Sequence, residues 1–147
     1  MSTILVIDDD AATRQAITTI LGLRTYGTCV APDGRTGLEL CRVVRVHAAL
    51  VDLFMPGLEG FATIRELRRL YPGMALIAMS GHAVTNRNHG APDFLAMAIR
   101  MGADIALQKP FRSGELFEAI EAGLAHAPGR GDAPVARSLP GVPARPC

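Results

Sequence analysis

Short apolar runs alternate along this chain with longer segments whose apolar residues recur at helical spacing, and this alternation constrains the fold more than any other feature. The apolar runs predict strands, and the spacing of three to four residues in the other segments predicts amphipathic helices. The predicted strands are Thr3 to Asp8, Tyr26 to Ala31, Ala48 to Asp52, Met74 to Met79 and Asp104 to Gln108. The predicted helices are Ala11 to about Leu21, Asp33 to Arg45, Gly57 to Leu70, Ala91 to Met101 and Arg112 to about Ala125.

Five strands that alternate with five helices indicate consecutive βαβ units and a parallel sheet. Because the strands are apolar along nearly their whole length, we expect helices on both faces of the sheet. The clearest helix turns its apolar side inward and is expected to expose its charged residues, which are Arg65, Glu66, Arg68 and Arg69. In doubly wound α/β folds of this kind, the functional crevice lies beyond the carboxyl ends of the strands.

Four predicted strands end on polar groups of the kind that phosphoryl transfer uses. Asp8 and Asp9 follow the first strand, and Asp52 ends the third. Ser80 follows the fourth strand, and Lys109 follows the fifth. Since the carboxyl ends of parallel strands meet at one edge of a sheet, we expect these side chains to share one site. A charged carboxylate at the end of a buried strand is costly unless a cation or a reaction requires it there.

The three carboxylates of this edge predict a magnesium site. Neighbouring strands lie about 4.8 Å apart, so the first and third strands would crowd Asp8, Asp9 and Asp52 together. Such crowding raises carboxylate pKa values unless a cation is present, and hard oxygen ligands suit Mg²⁺. Mg²⁺ and Lys109 would then neutralise the charge of a transferring phosphoryl group, with Asp52 as the nucleophile that forms an aspartyl-phosphate.

In combination these motifs resemble the receiver domain of two-component response regulators. The resemblance covers about residues 2 to 126, and it rests on Asp8-Asp9, Asp52 with Met55-Pro56-Gly57, Ser80, and Lys109-Pro110-Phe111. It implies a flavodoxin-like (βα)5 fold. It also implies a phosphorelay partner, either a sensor histidine kinase or a histidine phosphotransfer protein, and a signalling domain that is not an enzyme beyond assisting its own phosphorylation and dephosphorylation.

The resemblance also assigns roles to individual residues. Asp52 would be the phosphoacceptor, and Ser80 and Lys109 would contact the phosphoryl oxygens. The implied cofactor is Mg²⁺. Its implied ligands are Asp8, through a bound water, and, directly, Asp9, Asp52 and the backbone carbonyl of Phe54.

Other interpretations fit parts of the pattern. Taken alone, the aspartates at 8 to 10 would also fit a helix cap, and Asp52 would fit a turn. A Mg²⁺-dependent phosphohydrolase typically carries a second aspartate where this chain has Phe54. A flavin-binding module would need a phosphate loop in place of Asp8-Asp9-Asp10. A receiver that only drains phosphate, without direct output, is a further alternative.

Length, charge and composition predict the domain organisation and limit the classes of function that the chain can have. The 147 residues predict one domain over residues 1–126 and a flexible tail, rich in Pro, Gly, Ala and Arg, over residues 127–147. A net charge of +1 and the absence of Trp give no case for nucleic-acid or membrane binding. No segment predicts a signal peptide or a membrane span, and the odd number of cysteines favours reduced thiols. We therefore expect a cytoplasmic, stand-alone receiver that signals through protein contacts.

Two features differ from the usual receiver pattern, and both lie on the face that typically signals to partners. Ala106 stands three residues before Lys109, where receivers usually carry a Tyr or Phe that takes part in the output switch. The polar loop from Gly81 to Gly90 is several residues longer than usual. Its His82 and His89 are expected to be solvated rather than to bind a metal, and the loop is the expected reporter of phosphorylation.

Overall fold

The structure, a computed structural model, describes residues 1–56, 59–81 and 93–126. The strands are β1 (Thr3–Ile7), β2 (Gly27–Ala31), β3 (Ala48–Asp52), β4 (Ala75–Ser80) and β5 (Ile105–Gln108). The helices are α1 (Ala11–Leu21), α2 (Gly34–Val43), α3 (Glu59–Leu70), α4 (Phe94–Met101) and α5 (Ser113–His126). The expected reporter loop, from 82 onward with its two histidines, and the expected tail from 127 lie outside the described residues.

The strands form one parallel sheet in the order β2-β1-β3-β4-β5, which confirms the predicted α/β fold. Ile7 of β1 lies opposite Val51 of β3, so Asp8 and Asp52 come next on adjacent strands. The order in which the chain adds strands reverses at β1, because β2 lies on one side of β1 and β3 on the other, and such a switch point opens a crevice at the carboxyl edge. The strand order therefore places the acidic residues at the position where this fold class binds ligands.

Alternate strand residues divide between two apolar cores, one on each face of the sheet, as the pleat requires. Ile4 and Val6 of β1 pack with α1 and α5, whereas Leu5 and Ile7 pack with α2, α3 and α4. The sheet is thus covered on both faces, which explains why its strands are apolar throughout. None of the described helices is long and apolar enough to span a membrane.

The structure corrects two expectations. The helix expected from Ala91 begins at Phe94, because Asp93 has extended backbone and its carboxylate accepts the N–H of Ala96 at 3.0 Å, as an N-cap does. Arg68, expected to face solvent, is mostly buried and pairs with Asp104.

Candidate functional site

Three carboxylates meet at the carboxyl edge of the sheet. One oxygen from each of Asp8, Asp9 and Asp52 lies within 4.8 Å of the others. Asp8 and Asp52 are buried, at 1% and 5% exposure, whereas Asp9 is exposed. The strand-end pattern therefore located the cluster correctly, while the roles assigned to its members remain predictions.

Lys109 supplies a positive charge to these carboxylates from the far side of β4. Its backbone N–H donates to the carbonyl of Ser80 at 2.9 Å, which fixes the residue next to the end of β4. Its Nζ then reaches Asp8 Oδ2 at 2.8 Å and Asp52 Oδ1 at 3.4 Å. We call Asp8, Asp9, Asp52 and Lys109 the carboxyl-edge cluster.

Burial and charge shift the pKa values in this cluster. Burial raises the pKa of Asp52, the charge of Asp8 raises it further, and Lys109 opposes both effects. Burial by itself would lower the pKa of Lys109, but its hydrogen bond to Asp8 and the charges of Asp52 and Asp8 raise it overall. Lys109 is therefore protonated at neutral pH, and a single ammonium group faces three carboxyl groups.

The turn between β1 and α1 divides the three consecutive aspartates between two tasks. The carboxylate of Asp10 accepts hydrogen bonds from Thr13 N and Oγ1 at 3.0 and 2.6 Å, which caps α1 and lowers the pKa of Asp10. Asp8 Oδ1 accepts the N–H of Asp10 at 2.9 Å. Arg14 donates to the carbonyl of Asp8 at 2.7 Å. These bonds hold the turn so that Asp8 and Asp9, but not Asp10, join the cluster.

The first turn of α3 packs directly on the backbone of the Asp52 segment, a contact that sequence patterns did not reveal. A Cβ atom at Gly60 would lie 2.1 Å from the carbonyl oxygen of Asp52 and 2.5 Å from Cα of Leu53. Only glycine permits this approach. The neighbouring Glu59 accepts the N–H of Gly34 at 2.8 Å, so the same turn also holds the start of α2. A glycine in the first turn of a predicted helix was the available sequence signal.

Ser80 and Phe54 are near Asp52 in the sheet and in the chain, respectively: Ser80 ends the adjacent strand β4, and Phe54 follows Asp52 by two residues. Ser80 ends β4 and is fully buried. Phe54 is half-buried, and its ring packs edge-on against Phe94 at 4.7 Å and against Phe61 at 6.3 Å. Phe54 therefore stands, as part of this aromatic packing, at the position where a phosphohydrolase typically carries its second aspartate.

The donor set of the carboxyl-edge cluster fits a hard divalent cation. Carboxylate oxygens from two adjacent strands are the ligands that Mg²⁺ prefers, and the exposed Asp9 leaves the group open to solvent on one side. A cation would also relieve the repulsion between carboxylates that a single lysine only partly offsets. Asp8, Asp9 and Asp52 therefore fit the metal that the sequence implied.

Comparison with known proteins identifies the family. The model of the response regulator receiver domain matches residues 4–121. Response regulator MprA of Mycolicibacterium vanbaalenii is 33% identical over 122 residues, which are 82% of this chain and 49% of that protein. DNA-binding response regulator MtrA of Mycobacterium tuberculosis is 31% identical over 121 residues, which are 82% of this chain and 50% of that protein. The chain spans about half the length of these curated relatives.

Solved structures agree with this assignment. A CheY-like receiver domain protein from Methanospirillum hungatei matches with a TM-score of 0.76 and 26% identity, over 89% of this chain and 99% of the other. The receiver domain of NtrX from Brucella abortus matches with a TM-score of 0.73 and 27% identity, over 84% and 98%. The fold and the site thus define a receiver domain of two-component signalling. The chain belongs to the response regulator receiver family, which confirms the resemblance seen in its motifs.

Proposed function

We propose that this receiver accepts a phosphoryl group on Asp52, from a sensor histidine kinase or a histidine phosphotransfer protein, in a Mg²⁺-dependent reaction. The observation that carries the proposal is the buried carboxylate of Asp52 beside two further carboxylates and the ammonium group of Lys109. Buried carboxylates in excess over their cations are costly to fold, so their presence indicates a need for another cation and for a reaction.

The residues that would hold the metal are Asp8, through water, and Asp9, Asp52 and the backbone carbonyl of Phe54 directly. Gly60 supports this set, because it lets α3 pack against the backbone at Asp52 and Leu53, just before Phe54. When bound, Mg²⁺ would supply positive charge to the oxygens of the phosphoryl group.

Asp52 is the nucleophile in this proposal. One of its carboxylate oxygens attacks the phosphorus of the phosphohistidine, the phosphorus–nitrogen bond breaks, and the donor imidazole leaves with the bonding electron pair. Lys109 and Ser80 contact the phosphoryl oxygens, and Lys109 need only turn its Nζ away from Asp8 to do so.

The output proposed for this domain is contact with another protein, in the cytoplasm. The net charge of +1 and isoelectric point near 7.8 support protein contact rather than nucleic-acid binding by these residues. We also propose that residues 1–126 form the receiver, that residues 127–147 lie outside it, and that the domain turns over no separate substrate. Function without a second domain stays a prediction, since the match covers only 50% of the relative named as a DNA-binding regulator.

Intact-mass measurement after incubation with a small phosphodonor tests the proposal. Wild-type protein should gain the mass of one phosphoryl group with Mg²⁺ and little without it. Asp52→Asn should gain none. Asp33→Asn is the matched control: Asp33 also follows a strand at this edge, but its carboxylate caps α2 by accepting the N–H of Thr36 at 2.7 Å, and asparagine keeps that function.

Full labelling of Asp52→Asn would contradict the proposal that Asp52 is the acceptor. Equal labelling with and without Mg²⁺ would contradict the proposal that the reaction requires Mg²⁺. Steady release of phosphate from a generic phosphomonoester would favour the phosphohydrolase alternative instead. We expect no such turnover, because Phe54 offers no carboxylate to protonate a leaving group.

A further inference from the structure

A groove lies between α2 and α3, on the face of the sheet opposite α1 and α5. Its volume is about 520 Å³. Sites for small molecules typically measure roughly 300–1,000 Å³, with a mostly apolar wall and a few polar groups. We call this space the α2–α3 groove. The residues that line it include Leu38, Arg42, Glu59, Thr63, Leu70 and Tyr71.

Two buried hydroxyl groups in the wall of the groove have no hydrogen-bond partner in the described part of the chain. Tyr71, the first residue after α3, is 5% exposed, and Thr63 of α3 is 3% exposed. By contrast, the hydroxyl of Thr18 in α1 donates to the carbonyl of Arg14 at 2.8 Å. Buried hydroxyls without partners are costly, so the wall favours a molecule that supplies them.

The groove also contains one charged side chain, that of Arg42, for which residues 1–56, 59–81 and 93–126 provide no ion pair or hydrogen bond. The other charged side chains of the wall are already engaged. They are Arg35 with Glu39 at 3.5 Å, Glu66 with Arg69, and Glu59 with the N–H of Gly34 at 2.8 Å.

Arg42 and Tyr71 are suited to bind an anion together. Arg42 lies in the last turn of α2, close enough to Tyr71 for its charge to act on the phenol. Burial raises the pKa of Tyr71, so its hydroxyl stays protonated at neutral pH and can donate. A guanidinium group binds a carboxylate through two parallel hydrogen bonds, and the phenol can donate a further one.

The other hydroxyl lies toward the opposite end of the groove. Thr63 precedes Tyr71 by eight residues, which corresponds to about 12 Å along the helix axis at 1.5 Å per residue. A Cβ atom at Gly34 would lie 1.8 Å from Thr63 Oγ1, so only glycine at the start of α2 leaves room for this hydroxyl. The apolar side chains of Leu38 and Leu70 also line the groove. A ring with a short acyl chain spans such a distance.

We infer that the α2–α3 groove binds a small amphipathic carboxylic acid. Arg42 and Tyr71 hold its carboxylate, Leu38 and Leu70 cover its apolar body, and Thr63 bonds a hydroxyl group at its far end. The site is separate from the carboxyl-edge cluster, and binding there does not require phosphorylation of Asp52.

A nuclear magnetic resonance titration of the full chain with phenylbutyrate tests the inference. The buffer contains no Mg²⁺, so that no metal ion can hold the carboxylate at the carboxyl-edge cluster. Signals from α2 and α3 along the groove should shift and saturate. Phenylbutylamine has the same ring and chain length but the opposite charge, and it should cause no saturable shift.

Two substitutions remove the anion-binding groups without changing the core. Arg42→Gln and Tyr71→Phe should each weaken phenylbutyrate binding by about tenfold, because each removes hydrogen bonds to a charged group. Arg45→Gln is the matched control. Arg45 is exposed, lies three residues after Arg42 and does not line the groove, so this variant should bind as wild type does.

The far end of the site is tested with the para-hydroxy derivative of phenylbutyrate. Wild-type protein should bind this derivative more tightly than phenylbutyrate itself. Thr63→Val keeps the shape of the side chain but lacks the hydroxyl, so it should lose only this preference. Equal affinities of wild-type protein for the two acids would overturn the role of Thr63.

Thermal melting of Tyr71→Phe provides an independent test. Without a ligand this variant should melt no lower than wild type, because no described residue bonds the hydroxyl that it lacks. A lower melting temperature would show that the hydroxyl already has a partner within the protein and would overturn the inference. It is also overturned if phenylbutyrate binds no better than phenylbutylamine, or if Arg42→Gln binds as Arg45→Gln does.

Discussion

The two edges of the sheet each contain a partly buried group of charged side chains, and the groups differ in charge balance. At the amino edge, Arg68 pairs with Asp104 at 2.7 Å and also donates to the carbonyls of Pro72, Met74 and Gly102. Asp104 in turn accepts the N–H of Leu76 at 2.9 Å. One cation faces one carboxylate, and both are well supplied with hydrogen bonds. We call this the amino-edge cluster.

At the carboxyl edge, one lysine faces three carboxyl groups, and burial raises the pKa of Asp52. The amino-edge cluster has equal positive and negative charge, so it needs no ion from solution and serves only to stabilise the fold. An unbalanced group is less stable as it stands, and it gains stability from a cation. The comparison teaches that charge balance, more than burial, separates a structural cluster from a chemical one in this domain.

The largest expected change in the free energy of unfolding comes from disrupting the amino-edge cluster. Arg68→Met leaves the mostly buried Asp104 without its partner, so the free energy of unfolding should fall by about 3–5 kcal/mol. Arg35→Met is the control, because Arg35 forms an exposed pair with Glu39 on α2 and should cost no more than about 1 kcal/mol. Urea denaturation measures both. Equal, small losses would show that the amino-edge cluster is not a structural unit.

A smaller effect is expected where α3 packs on the Asp52 segment. Gly60→Ala places a methyl group within 2.1 Å of a backbone oxygen, so it should destabilise by about 1–3 kcal/mol and weaken Mg²⁺ binding. Gly114→Ala in α5 meets nothing within 4 Å and should instead stabilise by about 0.5–1 kcal/mol. If both substitutions stabilise equally in thermal melts, the close approach at Gly60 does not constrain the site.

The smallest stability effect, and one of opposite sign, is expected for Asp52→Asn. Because the folded state raises the pKa of Asp52, ionisation of this group opposes folding above that pKa. Asp52→Asn should therefore raise the free energy of unfolding at neutral pH without Mg²⁺. The gain should shrink as pH falls through the folded-state pKa and vanish below the ordinary aspartate value. A gain that grows toward low pH would contradict the sign of the shift.

Much of this fold could be predicted from sequence, since apolar runs and helical spacing reflect burial directly. Every strand and helix was predicted, and the strand-end residues Asp8, Asp52 and Lys109 meet as parallel strands require. The predicted start of α4 at Ala91 was wrong, because Asp93 caps the helix and Phe94 is its first residue.

The contacts that link distant segments were not predicted. Arg68 lies seven residues after Phe61, at the border of the apolar face of α3. Asp104 and nearby backbone carbonyls hold its charge inward. The packing of Phe54 on Phe94 and of Gly60 on the Asp52 backbone likewise depends on the distances of α4 and α3 from the end of β3 in the folded protein. Spacing in the sequence carries no information about such distances.

Thermal melting across a Mg²⁺ titration tests the central claim most directly, namely that the carboxyl-edge cluster requires a cation. Wild-type protein should gain about 2.7 kcal/mol of stability at a Mg²⁺ concentration 100-fold above its dissociation constant. Asp9→Ala should lose most of this gain, while Asp10→Ser, which keeps the helix cap but lies outside the cluster, should retain it. Equal Mg²⁺ responses in wild type and Asp9→Ala would contradict the account.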